Sequence, residues 1–418
     1  MNIMHNNEKV VITGMGIVSP LGSNLEEYWG NLRDGVVNFG NIDFSHLGIT
    51  DIPVYKAHFV SKKKPAGCIP LNTKKKMDDS VAYSLIATKE AVQDAILYDV
   101  ILNNPERVGV VLGSTFGGIG YAEKEYLRYM SYEEKKIFPR VSAYLSIAMF
   151  SCAAPGQVSV SHNFKGKIYS IPDGNTSGID SMFYAIRALN SGSVDVMLAG
   201  SFEAPITPFC ISSLFSLGKL KKESSENFCC SPFSGKNEGF LLGEGSGVLS
   251  LEREDFARKR GAKIYGRIVN YQSVINSNII SAGERCLASL FKSGGIGINE
   301  IDFIVAYGDG TQTDQKEIEV LKRVFGKALT TIPITAIKPI TGHALSASSS
   351  FEIIAGVLSL KKNVIIPIRG VQNMSLIEET KVCYAKNIEK HKLLKTFLIY
   401  CIGFNGKYSA IIVRKVSE

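Results

Sequence analysis

The sequence has no spaced cysteine pairs, no histidine ladder, no long apolar run and no low-complexity linker. Each absence excludes a class of protein. The eight cysteines are scattered, and Cys229 and Cys230 form the one adjacent pair. Without CxxC spacing, neither a disulfide framework nor a zinc site is expected. Buried, reduced thiols in a cytoplasmic protein fit this usage. The first residues, MNIMHNNEKVVITGMG, hold no apolar stretch behind basic residues, so neither a signal peptide nor a membrane span is expected.

The chain runs to 418 residues, 45% hydrophobic and 21% charged. That is an ordinary globular balance, and it is too long for one simple core. With no linker to divide it, one large or two closely joined domains are expected. The 39 glycines fit many tight strand-to-helix turns. A net charge of +8 comes with short basic clusters at Lys62–Lys64, Lys74–Lys76, Lys219 with Lys221 and Lys222, and Arg258–Arg260. These read either as solvated surface or as a docking face for an acidic partner. Nucleic acid is a poor fit, because no stacking aromatics interleave with the clusters.

Strand and helix patterns alternate along the chain. KVVITGMGIV reads as a buried strand entering a glycine turn, and SNLEEYWGNLRDG as a helix capped by Ser23 and stopped at Gly35. RVGVVLGSTFGG, VDVMLAGSFEA, KIYGRIVNY and FIVAYGDG read as strands, and MDDSVAYSLIATKEAVQDAI as a helix. KTFLIYCIGFNG and YSAIIVRK read as a terminal strand pair. A faint echo is also present. Asn175 to Leu189 is a small-residue turn and helix before the strand VDVMLAG; His343 to Leu360 repeats the turn and helix before NVIIPI. Two copies of one α/β unit packed back to back would account for the length.

Three stretches carry the chemistry. In SIPDGNTSGIDSM, residues 170–182, small polar residues open a helix, where unpaired backbone N–H groups would activate a thiol. The position holds Asn175, whose carboxamide has no useful nucleophilic form; from this stretch alone it reads as a helix cap. VAYGDGTQTDQKEIE, residues 305–319, is a strand, a glycine-rich turn and an acidic helix. IKPITGHALSASSS, residues 337–350, sets Lys338 and His343 around a tight turn at an element boundary.

VVITGMGIVSPLG, SPFSGKNEGFLLGEGSGVLSLE, AIKPITGHALSASSS and CIGFNGKYSAIIV resemble, in order, signatures of the β-ketoacyl-acyl carrier protein synthases. The resemblance runs from about Lys9 to about Val413. It implies the thiolase fold, with duplicated α/β halves in a five-layer α-β-α-β-α sandwich, and a dimer. We place the halves at residues 1–258, with the dimer interface and tunnel helices, and 259–418. Active members of the family use a cysteine nucleophile and two histidines. The cysteine position falls on Asn175 and the first histidine on Tyr307, while the second histidine is kept as His343 and the family lysine as Lys338. The glycine-rich gating loop falls on Ile402, Gly403, Phe404, Asn405 and Gly406. Thr176 and Ser177 offer hydroxyls, but no base can be named for either. Loss of the cysteine implies loss of condensing activity.

RVSAYLSIAMFSCAAPGQVSVSHNFKG, residues 140–166, is similar to the interface segment of chain-length factors, the ketosynthase-β subunits of type II polyketide synthases. Gly178-Ile179-Asp180 matches that subgroup's Gly-Leu-Asp, and Asn175 is one methylene shorter than its usual glutamine. The resemblance implies a heterodimer with a catalytic ketosynthase-α subunit, an interface tunnel that sets polyketide length, and an acidic acyl carrier protein as partner. No cofactor of its own is implied; substrate would arrive on the carrier's phosphopantetheine. The helix from Ile119 to about Met130 is the expected tunnel wall, with Tyr121, Lys124, Tyr126 and Leu127 as candidate liners, joined by Met149 and Phe150. Two other roles stay open: a malonyl decarboxylase or priming subunit using Asn175 and His343, and a purely stabilising pseudoenzyme. An aromatic product such as an anthraquinone is expected, with an aryl polyene as the alternative; nothing in the sequence counts the carbons.

Overall fold

The computed structural model describes residues 9–52, 54, 56–61, 75–133, 140–222, 230–369, 374–391 and 393–416. Lys62–Lys64, Lys74 and Cys229 lie outside them. Ten strands share one hydrogen-bonded sheet: β1 Val10–Val18, β2 Val108–Gly113, β3 Ile168–Ile171, β4 Val196–Glu203, β5 Gly245–Arg253, β6 Gly266–Ile275, β7 Phe303–Val305, β8 Ile334–Thr335, β9 Thr396–Ile402 and β10 Lys407–Arg414. Their order is β8-β7-β9-β10-β6-β1-β5-β4-β2-β3.

That order contains a repeat. β1 to β5 run 1-5-4-2-3 across one half, and β6 to β10 run 6-10-9-7-8 across the other. The directions repeat as well: the first, fifth and fourth strands of each half pair antiparallel, and the fourth, second and third pair parallel. The halves join where Val10, Val11 and Ile12 pair with Ile268, Arg267 and Gly266. The boundary placed at 258/259 falls inside the short helix Glu254–Lys259, in the connection between β5 and β6.

Helices complete five layers. Asp79–Asp94 and Ala153–His162 cover one outer face; Ile279–Gly294, with Thr313–Phe325 beside it, covers the other. Ser177–Asn190 and Ser346–Lys362 lie between the halves. The second of these is buried from Ser346 to Leu360, which its small side chains allow. A Cβ on Gly178 would come within 2.3 Å of the Ser349 hydroxyl, so the two central helices touch through atoms of minimal size. This is the thiolase fold.

Two sequence expectations change. The first helix, Leu25–Asp34, is capped by Asn24, which accepts from the Glu27 N–H at 2.9 Å, and not by Ser23. Asn24 has the extended backbone a cap requires. Gly35 does stop the helix, at φ 70°. The echo holds for the central helices but not for the strand after the second. Val364–Ile365 of NVIIPI pairs with Glu389–Lys390 in a separate two-stranded ladder. The sheet partner corresponding to β4 is β9.

Candidate functional site

Asn175 lies in a short 3-10 turn, Gly174–Thr176, that leads into the central helix Ser177–Asn190. Tyr307 follows β7, and His343 follows the turn Lys338–Thr341. Gly342, at φ 73°, makes the close approach before His343: a Cβ there would sit 2.9 Å from the Gly243 Cα. The fold brings all three together at the inner ends of these elements. Asn175, Tyr307, Lys338 and His343 are each 1% exposed or less.

Asn175, Tyr307 and His343 form a chain of hydrogen bonds. Asn175 Nδ2 donates to Tyr307 Oη at 3.1 Å and to the Ile402 carbonyl at 3.4 Å. Tyr307 Oη lies 3.0 Å from His343 Nε2. His343 Nδ1 accepts from the Leu345 N–H at 3.0 Å. Burial, with the nearby Lys338 charge, holds His343 well below the usual histidine range, so the ring is neutral. A neutral ring whose Nδ1 accepts carries its proton on Nε2. Nε2–H therefore donates to Tyr307 Oη, and both acceptor positions of that hydroxyl are taken. Burial also holds the Tyr307 phenol well above its usual range. Asn175 Oδ1 is buried with no partner among the described residues.

Lys338 supports this chain from below. Its Nζ donates to the Tyr307 carbonyl and to Glu352 Oε1, both at 2.5 Å, and lies 4.1 Å from the centre of the Tyr307 ring. Burial pulls the ammonium down and the Glu352 carboxylate more than restores it, so its pKa rises. Burial pushes Glu352 up to about 7 against the pull of Lys338. At 2.5 Å, with Lys338 held charged, we read the pair as ionised.

Glu317 fixes the Tyr307 turn. It accepts from the N–H groups of Tyr307 at 2.8 Å and Gly308 at 3.0 Å, and from Tyr400 Oη at 2.6 Å. The expected gating loop is the β9–β10 hairpin. Gly403 and Lys407 close it, and Gly406 takes φ 82°. The Phe404 ring is 40% exposed and 6.4 Å from His343. Lys407 Nζ ties this hairpin to the Asn175 turn through Asp173 at 2.6 Å and Asp180 at 2.8 Å.

No stand-in nucleophile is present in this group. Thr176 donates to Asp180 at 2.8 Å, but Lys407, Tyr271 and Ser409 also hold that carboxylate. Ser177 donates to the Gly174 carbonyl. The nearby Cys401 thiol donates to the Asn175 carbonyl at 3.2 Å, and burial pushes it well above the usual thiol range.

The tunnel candidates lie elsewhere. Tyr121 is half-buried and bonds Ser142 Oγ at 2.8 Å; Lys124, Tyr126, Leu127, Met149 and Phe150 are exposed. No hydrogen bond or ring contact among the described residues joins them to Asn175. They belong to a broad outer face, where the helices Ile119–Glu133 and Leu145–Met149 pack together and Ala153–His162 runs on to edge strand β3. Among the described residues β3 pairs only with β2, and Ile168 and Tyr169 on it are exposed. A pocket of about 120 Å³ opens beside this face between Met77, Val81, Tyr144 and Ile147.

The basic clusters divide. Arg258 and Arg260 pair with Glu254 and Glu252 within the chain. Lys219 instead lies 5.2 Å above the Phe404 ring, whose centre is 6.4 Å from that of His343.

Family models for the beta-ketoacyl synthase N-terminal domain and C-terminal domain match residues 7–257 and 267–372. The chain belongs to the beta-ketoacyl synthase family. It is 30% identical to 3-oxoacyl-[acyl-carrier-protein] synthase 2 of Staphylococcus aureus, over 99% of each chain. It is 28% identical to granaticin polyketide putative beta-ketoacyl synthase 1 of Streptomyces violaceoruber, over 98% of this chain and 99% of that one. A type II polyketide ketosynthase, solved bound to a hexaketide and in complex with its acyl carrier protein, superposes with a TM-score of 0.88 at 27% identity. The match covers 98% of this chain and all of that one. The ishigamide ketosynthase/chain length factor shares the fold, with a TM-score of 0.86 at 22% identity over 99% of this chain. No helix among the described residues is long and apolar enough to cross a membrane.

Sequence reasoning missed Glu317 and Glu352. Glu352 did carry a signal: one acid inside an otherwise apolar and small-residue helix requires a buried cation, and Lys338 lies 14 residues before it. Glu317 was hidden among the acids of its helix.

Proposed function

We propose that this chain is a non-catalytic chain-length factor of type II polyketide biosynthesis. It pairs with a catalytic ketosynthase-α subunit, closes the tunnel at their interface and sets the length of the poly-β-ketone. The carrying observation is the centre itself. The family's nucleophile position holds a carboxamide bonded to Tyr307 and Ile402, inside a fold kept in every layer. A protein that keeps the scaffold and lacks the nucleophile has its use in what it packs against.

The outer face supports the same reading. An open sheet edge flanked by exposed aromatic and aliphatic side chains is an association liability unless a partner covers it. Water exclusion in a shared tunnel would also keep a reactive polyketone from cyclising early. An acidic acyl carrier protein would bring substrate on its phosphopantetheine arm, with Lys219 as a contributing contact beside Phe404.

The test is product length. In the assembled pair, Leu127→Trp or Met149→Trp is expected to shorten the polyketide by at least one two-carbon unit, read by mass spectrometry. Tyr126→Ala is expected to lengthen it. Unchanged product from all three variants in intact heterodimers would remove the tunnel role from this face.

A further inference from the structure

Decarboxylation of a malonyl thioester breaks the bond between the methylene carbon and the carboxylate. Carbon dioxide leaves, and the electron pair becomes an enolate on the thioester oxygen. Proton uptake from water then gives the acetyl thioester. The step requires hydrogen-bond donors aimed at the enolate oxygen. In this chain the candidate donors are His343 Nε2–H and Asn175 Nδ2.

Both are already engaged, and by the same atom. Tyr307 Oη receives Asn175 Nδ2 at 3.1 Å and lies 3.0 Å from His343 Nε2. The imidazole has no second proton to offer, because Nδ1 accepts from Leu345. Nor is Tyr307 free to swing aside. Its ring lies under the Lys338 ammonium, its carbonyl accepts from the same group, and its N–H is held by Glu317. The side chain is 1% exposed and packs edge-on to His343, with ring centres 5.6 Å apart.

We propose that Tyr307 is a built-in stopper: its hydroxyl takes the hydrogen bonds that a thioester enolate would need, and so silences malonyl decarboxylation by this chain. Loss of the cysteine removes acyl transfer; the tyrosine separately removes the donor function that an isolated His343 would otherwise keep. This rests on the reading of the centre as a retired synthase site, and is independent of whether the chain sets product length.

The experiment uses the chain alone or, where it is soluble only as a complex, with a partner inactivated at its own histidines. Malonyl carrier protein is supplied, and acetyl carrier protein and carbon dioxide are measured. The parent is expected at background. Tyr307→Ala opens the space and frees both donors. Tyr307→Phe keeps the ring on Lys338 and removes the hydroxyl alone, and Tyr307→Val opens the same space if the alanine variant does not fold. Recovery of one oriented donor is worth roughly a hundredfold. A tenfold or greater rise in any folded variant, abolished by adding His343→Ala, supports the stopper. A folded alanine or valine variant that stays silent would overturn it, as would an active parent that loses activity in Tyr307→Phe. Co-purification and product-length assays read the heterodimer role separately, so failure here leaves that role standing.

Discussion

Replacing Lys338 with alanine is expected to destabilise the protein by about 3–5 kcal/mol, the usual result of breaking a buried ion pair by removing one partner. Lys338 and Glu352 are each 1% exposed, and Glu352 Oε2 has no partner among the described residues. The variant leaves a carboxylate alone in the central layer and strips the Tyr307 carbonyl of its donor. Urea unfolding is the measurement. The double variant Lys338→Met/Glu352→Leu is expected to recover most of the loss, because two packed apolar side chains replace the pair without stranding a charge. A single variant as stable as the parent would mean that the pair is not buried as described.

Ile168→Asp is expected to leave the fold intact and to weaken association with the proposed ketosynthase-α partner by roughly thirtyfold or more, the equivalent of one interface hot spot. Ile168 is 46% exposed on edge strand β3, so the isolated chain loses little. Across an interface, the carboxylate would have to be desolvated without a counter-ion. Sedimentation or titration of the two subunits reads the affinity, and thermal unfolding checks the fold. A folded variant that binds as tightly as the parent would place the interface elsewhere. Ile147→Asp, beside the pocket on the same face, extends the map.

Much of the fold was legible because strands and turns leave local signals. VVITGMGIV and TFLIYCI are apolar enough to be strands buried on both faces, and both are fully buried. The duplication was legible only in part. The two central helices share a turn-helix pattern, but the second copy diverts through Val364–Ile365 before β9, and no local pattern distinguishes a strand of the main sheet from one in a side ladder. The cap of the first helix was misplaced by one residue, because Ser23 and Asn24 are equally good caps by type and only backbone angles separate them.

The centre was legible by position and not by bonding. Asn175, Tyr307 and His343 were placed through their motifs, yet the hydroxyl between amide and imidazole depends on three elements meeting to within an ångström. Glu317 and the second tie of Lys407, to Asp180, are likewise products of tertiary geometry. The exposure of Tyr126 and Leu127 also needed the structure: helical spacing does not say whether a stripe faces a core or solvent.

The most direct test of the central claim is to express this chain with and without a catalytic ketosynthase-α subunit and weigh the purified species by size exclusion with mass detection. Each species is then supplied with malonyl carrier protein, and its products are read by mass spectrometry. The expected result is a one-to-one heterodimer, with polyketide formed only when both subunits are present. A stable homodimer of this chain that condenses malonyl units unaided would contradict it, and would require a residue other than Asn175 to carry the acyl group.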